Sequence, residues 1–292
     1  MMLLDAETDD TTGEVIHKII RSFDVDGVEE VAKLDESKIV VRFYKVVKSY
    51  IEETCKVCKV LDVETGDCLA SLNHPAVVIC VVVSPSGGCI LTSCKDKTIR
   101  KWNTSPPYNL IQELEIYYYH KYGTVKLVFL DDDQFLTGDT GSDAVCLMKV
   151  DGGSVVRSYE TGSKVYSIST MDSSSFLTGH INGSIQLWKK NSEDCLHTFE
   201  GHDNYVFSIA KVDDSRFVSG SDGKTAKLWD IKSKECLQTF SGHTGPVMSI
   251  VYMPTGNKLL TASLDTTIKI WSLHEFDSDG KENAAGNDEL YC

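Results

Sequence analysis

The sequence predicts an all-β fold of six four-stranded antiparallel sheets set radially around a ring, and three observations carry that prediction. Trp102, Trp188, Trp229 and Trp271 each close a short strand-like run, Met148 and Leu61 hold the same place elsewhere, and these six anchors stand 40 to 46 residues apart. Between anchors, short alternating runs rich in Val and Ile are separated by Asp, Ser, Gly and Pro turns, the pattern of short β-strands. Four such strands are too few to bury their own faces, so repeated units must stack on one another. Six units fill residues 14–273 at about 43 residues each, with a degenerate seven-sheet ring as the alternative count.

Taken in order, residues 14–23 resemble the fourth-strand stretch Glu235–Phe240 but have no first three strands before them. After Trp271 the opposite holds, since the chain runs into Asp277-Ser-Asp-Gly. The N-terminal strand is therefore expected to complete the last sheet, which would hide two edges. Residues 1–13 and 274–292, both acidic, are expected to be disordered tails. The first unit turns at Leu34–Ser37 and carries an insertion at Tyr44–Glu53. Later first strands are expected at Val78–Val83, Val125–Leu130, Val165–Thr170, Phe207–Val212 and Val247–Met253. Each is followed by an acidic or Pro-containing turn, so Asp131–Asp133 reads as one turn among several rather than as a calcium loop. Cys68, Cys195 and Cys236 each stand seven residues past an anchor and open a fourth strand.

Charge and composition narrow the function classes. The net charge is −14, and the two tails hold −4 and −5 of it. The body is thus only mildly acidic and has no electrostatic footprint for nucleic acid. No apolar run approaches the length of a membrane span. The stretch MMLLDAETDD turns acidic too soon for a signal or transit peptide, so an intracellular site, cytoplasmic or nuclear, is expected. Ten cysteines then read as free thiols. Cys55-Lys-Val-Cys58 lacks the second ligand pair that zinc requires. No cofactor, metal or small-molecule substrate is expected.

Gly201-His202 and Gly242-His243, the Asp turns, and Leu228-Trp229-Asp230 make the chain resemble the WD40-repeat β-propeller family over residues 14–273. The resemblance implies a hydrogen-bonded tetrad of loop His, strand Ser or Thr, turn Asp and anchor Trp. It places one at His243, Ser263, Asp265 and Trp271. A second keeps His74, Asp96 and Trp102 with Cys94 at the hydroxyl place. A third has His202, Ser221 and Trp229 with Gly223 at the Asp place. The unit of Trp188 has His180 where Ser belongs and Asn182 for Asp; that of Met148 has His120 and Ser142; that of Leu61 has neither signature. The first three units are therefore expected to rest mainly on apolar packing and to be the less stable half.

A buried His–hydroxyl–Asp set resembles a catalytic triad on paper, but inside a blade it is expected to be a brace, and no enzyme is predicted. The resemblance implies contact at the rim where first strands begin. That rim would present Ile79, Lys126, Lys164, Tyr166, Tyr205, Phe207, Pro246 and Met248. Aromatic and Met side chains there have the composition of an interaction hot spot for a protein or peptide, although Phe207 and Met248 could equally pack beneath loops. The sequence thus predicts a scaffold or adaptor. The alternative is the substrate receptor of a ubiquitin ligase, which the last repeats resemble, although no anchor is followed by Asp-x-Arg.

Overall fold

The computed structural model describes residues 2–8, 15–22, 28–35, 37–43, 45–47, 50–52, 56–116, 125–139 and 143–273. Six antiparallel sheets follow one another along the chain, and no helix is formed among these residues. Blade 1 comprises Val28–Lys33, Lys38–Phe43, Val57–Asp62 and Cys68–Asn73. Blade 2 comprises Val78–Val83, Cys89–Cys94, Thr98–Asn103 and Leu110–Glu115. Blade 3 comprises Val125–Phe129, Gln134–Asp139, Ala144–Lys149 and Val155–Glu160. Blade 4 comprises Val165–Thr170, Ser175–His180, Ile185–Lys189 and Cys195–Phe199. Blade 5 comprises Val206–Lys211, Arg216–Ser221, Thr225–Asp230 and Cys236–Ser241. Blade 6 has three strands, Val247–Met253, Lys258–Ser263 and Ile268–Ser272.

Each sheet is a meander in strand order, and the first strands of successive blades pack side by side from blade 1 to blade 6. The facing sides of successive sheets are buried against one another, as the stacking argument requires. Phe176 and Trp188 stack at 6.3 Å between centroids in blade 4, and Phe217 and Trp229 at 6.2 Å in blade 5. The Val206 methyls and the Ser167 hydroxyl join blades 4 and 5, where Ser167 Oγ donates to Val206 O at 2.9 Å. Ile250 N donates to Ser208 Oγ at 3.2 Å between blades 5 and 6. The β-propeller architecture read from the repeats is what forms, in six sheets.

Two expectations about the ends are corrected. The strand foreseen at 14–23 does form, as Val15–Ser22, but it pairs with Met2–Thr8 and not with blade 6. Residues within 1–13 are thus strand rather than tail. The short connection between these strands closes a far smaller loop than a return across the whole chain, and loop entropy favours the local hairpin. Residues 274–292 lie outside the described residues. The insertion in blade 1 contains a small hairpin of its own, Lys45–Val47 with Tyr50–Glu52. Blade 6 exposes the most large apolar side chains among the described residues: Met248, Val251, Leu264 and Ile268 are 39 to 65% exposed.

Candidate partner-binding rim and the braces beneath it

Four tryptophan-centred braces hold the loops of the rim to the blades. In blade 6, Trp271 Nε1 donates to Thr261 Oγ1 at 2.8 Å, and Thr261 Oγ1 lies 2.7 Å from His243 Nε2. Because the indole can only donate, the hydroxyl proton is free to go to Nε2, which leaves the proton on Nδ1. That proton is shared with Asp265 Oδ2 at 2.8 Å. Burial works against the Asp265 charge, yet hydrogen bonds from Thr267, Thr244 N and His243 hold its carboxyl well below the ordinary range.

The hydroxyl of this brace is Thr261, not Ser263. Ser263 Oγ instead donates to Gly245 O at 3.0 Å and receives Asp265 N at 3.1 Å, so it ties down the turn. Blade 5 shows the same correction: Trp229 Nε1 and His202 Nε2 both meet Ser219 Oγ at 2.7 Å, while Ser221 Oγ donates to Asn204 O at 2.9 Å. In blade 2 the hydroxyl is Thr92, 2.9 Å from both Trp102 Nε1 and His74 Nε2, so Cys94 replaces nothing. Asp96 there turns to Arg100 at 2.9 Å, and His74 Nδ1 faces Lys56 O at 3.3 Å. In blade 4, Trp188 Nε1 donates to Thr178 Oγ1 at 2.9 Å, which lies 2.8 Å from His180 Nε2. His180 therefore does not displace a serine. It supplies the imidazole from the strand, and its Nδ1 holds the loop through Ser163 O at 3.1 Å.

The register explains these errors. Trp271 pairs across the strands with Leu259, so the same-face residue two places on, Thr261, is its diagonal neighbour, and Ser263 is two places too far. Blades 2 and 4 thus carry the same polar brace as blades 5 and 6, and in blade 2 it stands beside a buried apolar cluster that includes Ile90 and Trp102. His120 and Ser142 lie outside the described residues. The glycine of each Gly-His pair also has a physical reason. A Cβ on Gly201 or Gly242 would stand 3.2 Å from Cη2 of Trp229 or Trp271, at a φ of +145° or +157°.

Above the braces, three rim aromatics gather at the junction of blades 4 and 5. Tyr166 and Tyr205 stack with centroids 5.2 Å apart and planes 16° from parallel. Phe207 meets both edge-on, at 5.7 Å from Tyr166 and 6.0 Å from Tyr205. All three rings are half-buried, and desolvation followed by Tyr205 pushes the Tyr166 phenol up. In blade 6, Pro246 is half-buried and Met248 is 39% exposed, so Met248 is not packed beneath a loop. Lys164 is exposed at the start of blade 4. Ile79 and Lys126 are half-buried on the first strands of blades 2 and 3, apart from the aromatic trio. Spacing alone placed each of these residues on the rim; the stacking of Tyr166 on Tyr205 had no sequence signal.

A concavity that the sequence did not indicate lies at the opposite ends of blades 2 and 3, with a volume of about 560 Å³. Ser84, Lys101, Asp132 and Asp151 line it. Three of its charged groups are engaged: Lys101 Nζ lies 2.6 Å from Asp151 Oδ1, and Asp132 Oδ1 accepts Ser86 N at 3.0 Å. Among the described residues no group of His, Cys, Asp or Glu side chains is arranged to hold a metal ion.

Three stretches of the chain match the sequence profile of the family described as WD domain, G-beta repeat: residues 66–103, 193–230 and 234–272. They coincide with the closing strands of blades 1, 4 and 5, each followed by the first three strands of blades 2, 5 and 6, which end near Trp102, Trp229 and Trp271. No curated protein matches the chain.

Proposed function

We propose that this chain, a WD40-repeat protein, is a non-catalytic scaffold that docks a protein or peptide partner on the rim at blades 4 to 6. WD40 repeats commonly mediate protein–protein contact, and the observation that carries the reading here is the half-exposed trio Tyr166, Tyr205 and Phe207 beside exposed Met248. Aromatic anchors that keep two χ angles and arrive already stacked lose little entropy on binding, which is why such residues dominate interface energetics. The brace residues support this surface from below and lack the access that catalysis requires. The His243 and Asp265 side chains are 2% and 7% exposed. An intracellular setting is part of the same proposal.

The test is quantitative binding by a partner isolated on the intact protein and then purified. The double variant Tyr205→Ala/Phe207→Ala is expected to weaken that partner by at least about 30-fold, corresponding to about 2 kcal/mol for a pair of hot-spot residues. Undiminished affinity, with the fold intact by circular dichroism, would move the docking site off this rim.

A further inference from the structure

In blade 6 the Asp265 carboxylate is the meeting point of four donors. His243 Nδ1 lies 2.8 Å away, Thr244 N and Thr267 N 2.9 Å, and Thr267 Oγ1 2.6 Å. Blade 5 repeats the surroundings and omits the acceptor. His202, Asp203 and Thr225 occupy the places of His243, Thr244 and Thr267, while Gly223 stands in for Asp265. The supporting turn is unchanged: Gly223 N donates to Ser221 Oγ at 3.0 Å, as Asp265 N does to Ser263 Oγ at 3.1 Å.

His202 is 6% exposed, and its Nδ1 is buried without a partner. Trp229 donates to Ser219 Oγ, and with that hydroxyl assigned as donor to Nε2, as in blade 6, the imidazole proton is placed on Nδ1. The Nδ1–H so placed lacks the carboxylate partner that His243 has in blade 6, and an unmet buried donor is costly. Neither nearby acid fills it. Asp222 is held by Asn204 Nδ2. Asp203 is exposed, with its Cβ 4.0 Å from where a Gly223 Cβ would be. Lys224 is exposed at the mouth, and Lys227 is close enough to act on His202 electrostatically. Tyr205 of the aromatic trio follows His202 by three residues in the same loop.

We propose that this notch between His202 and Gly223 is a carboxylate-binding site, filled by an Asp or Glu side chain of the peptide docked on the adjacent rim. The incoming carboxylate takes the place that Asp265 holds in blade 6 and accepts from His202 Nδ1 and the Asp203 amide, whose nitrogen is 3.9 Å from the Gly223 Cβ position. Entry requires the exposed Asp203 side chain to turn aside. The peptide as source of the carboxylate rests on the rim reading; the notch itself does not.

The experiment follows the His202 ring nitrogens by NMR in the intact, ¹⁵N-histidine-labelled protein at neutral pH, with the signal identified by its loss in His202→Gln. Probes are sodium acetate against sodium chloride at equal ionic strength, and acetyl-Leu-Asp-Leu-amide against its Asn counterpart. Acetate and the Asp peptide are expected to move the Nδ1 signal saturably, and chloride and the Asn peptide to leave it in place. Gly223→Asp, which fills the notch from within, is expected to show the shifted position already and to respond to neither probe. An equal response in chloride or in Gly223→Asp overturns the site. So does a wild-type signal that moves on Asp203→Ala without any probe, because Asp203 would then be the occupant. A response to acetate but not to the Asp peptide overturns the peptide as source. If Tyr205→Ala/Phe207→Ala leaves the Asp-peptide affinity unchanged, the rim reading fails while the notch stands.

Discussion

Replacing Gly223 with Asp should make the protein more stable. The substitution returns an acceptor to His202 Nδ1, which is buried and unpartnered. Satisfying such a donor is worth about 1–3 kcal/mol. A Cβ at Gly223 meets nothing nearer than Ser221 Oγ at 3.4 Å, an ordinary contact, and Gly223 is not among the glycines with positive φ. Loss of glycine's freedom in the unfolded chain therefore adds rather than subtracts, by about 0.4–1 kcal/mol. For a chain of this size each kcal/mol moves the melting temperature by about 2–4 °C, so a rise of about 3–16 °C is expected in calorimetry. Gly223→Ala carries the entropic part without the acceptor and should recover only the smaller share. In a His202→Gln background the Asp should lose most of its advantage. A Gly223→Asp protein no more stable than Gly223→Ala would refute the reasoning, because it would mean that His202 already has a partner in solution.

Three further outcomes follow from the braces. Burial, opposed for His74 by the Lys56 carbonyl and reinforced for His202 by Lys227, leaves both imidazoles with pKa values lowered to about 4. A lowered folded value means that their contribution is present above the ordinary 6.5 and is lost as pH falls from there toward 4, at up to about 1.4 kcal/mol per pH unit for each. Urea midpoints should accordingly drop between pH 7 and pH 5, and His74→Gln should flatten the slope; an unchanged slope counts against neutral, buried His74. Ser219→Ala strands both Trp229 Nε1 and His202 Nε2 and should cost about 2–4 kcal/mol, whereas Ser221→Ala, which frees only the main-chain groups of Asn204 and Gly223, should cost about 1 kcal/mol; denaturant titration of both variants checks the order. Gly220→Ala places a methyl 2.7 Å from Val247 Cγ1 and 2.9 Å from Ile250 Cδ1, and overpacking at that junction of blades 5 and 6 should cost about 1–3 kcal/mol, readable as a lowered melting temperature.

Repeat spacing made the six sheets legible, because anchors and turns recur in the chain itself. Strand pairing at the N-terminus was not legible in the same way. The stretch 14–23 carries a fourth-strand pattern, but a pattern states what a strand can pair with and not which edge is nearest, and Met2–Thr8 is nearest. The braces were half legible. Histidine and tryptophan were placed correctly in blades 2, 5 and 6, yet the hydroxyl was set two residues late, and period-2 geometry puts both candidates on one face. A constant offset held the answer: Thr92, Thr178, Ser219 and Thr261 each stand ten residues before their tryptophan. The aromatic stacking on the rim depends on how two blades approach each other, which no single repeat encodes.

The brace of blade 4 has a consequence for how freely this rim can change. In blades 2, 5 and 6 the imidazole comes from the loop, so that loop must conserve a histidine to keep its blade upright. In blade 4 the imidazole is His180, on the strand, and it grips the loop by the Ser163 main-chain oxygen. A main-chain oxygen is present whatever the side chain. Ser163 and Lys164 can therefore be rewritten while the tether persists, with Gly162 kept for its φ of +65°, and they lead directly into Tyr166. Blade 4 is the place where new specificity could be selected or engineered with the least loss of stability.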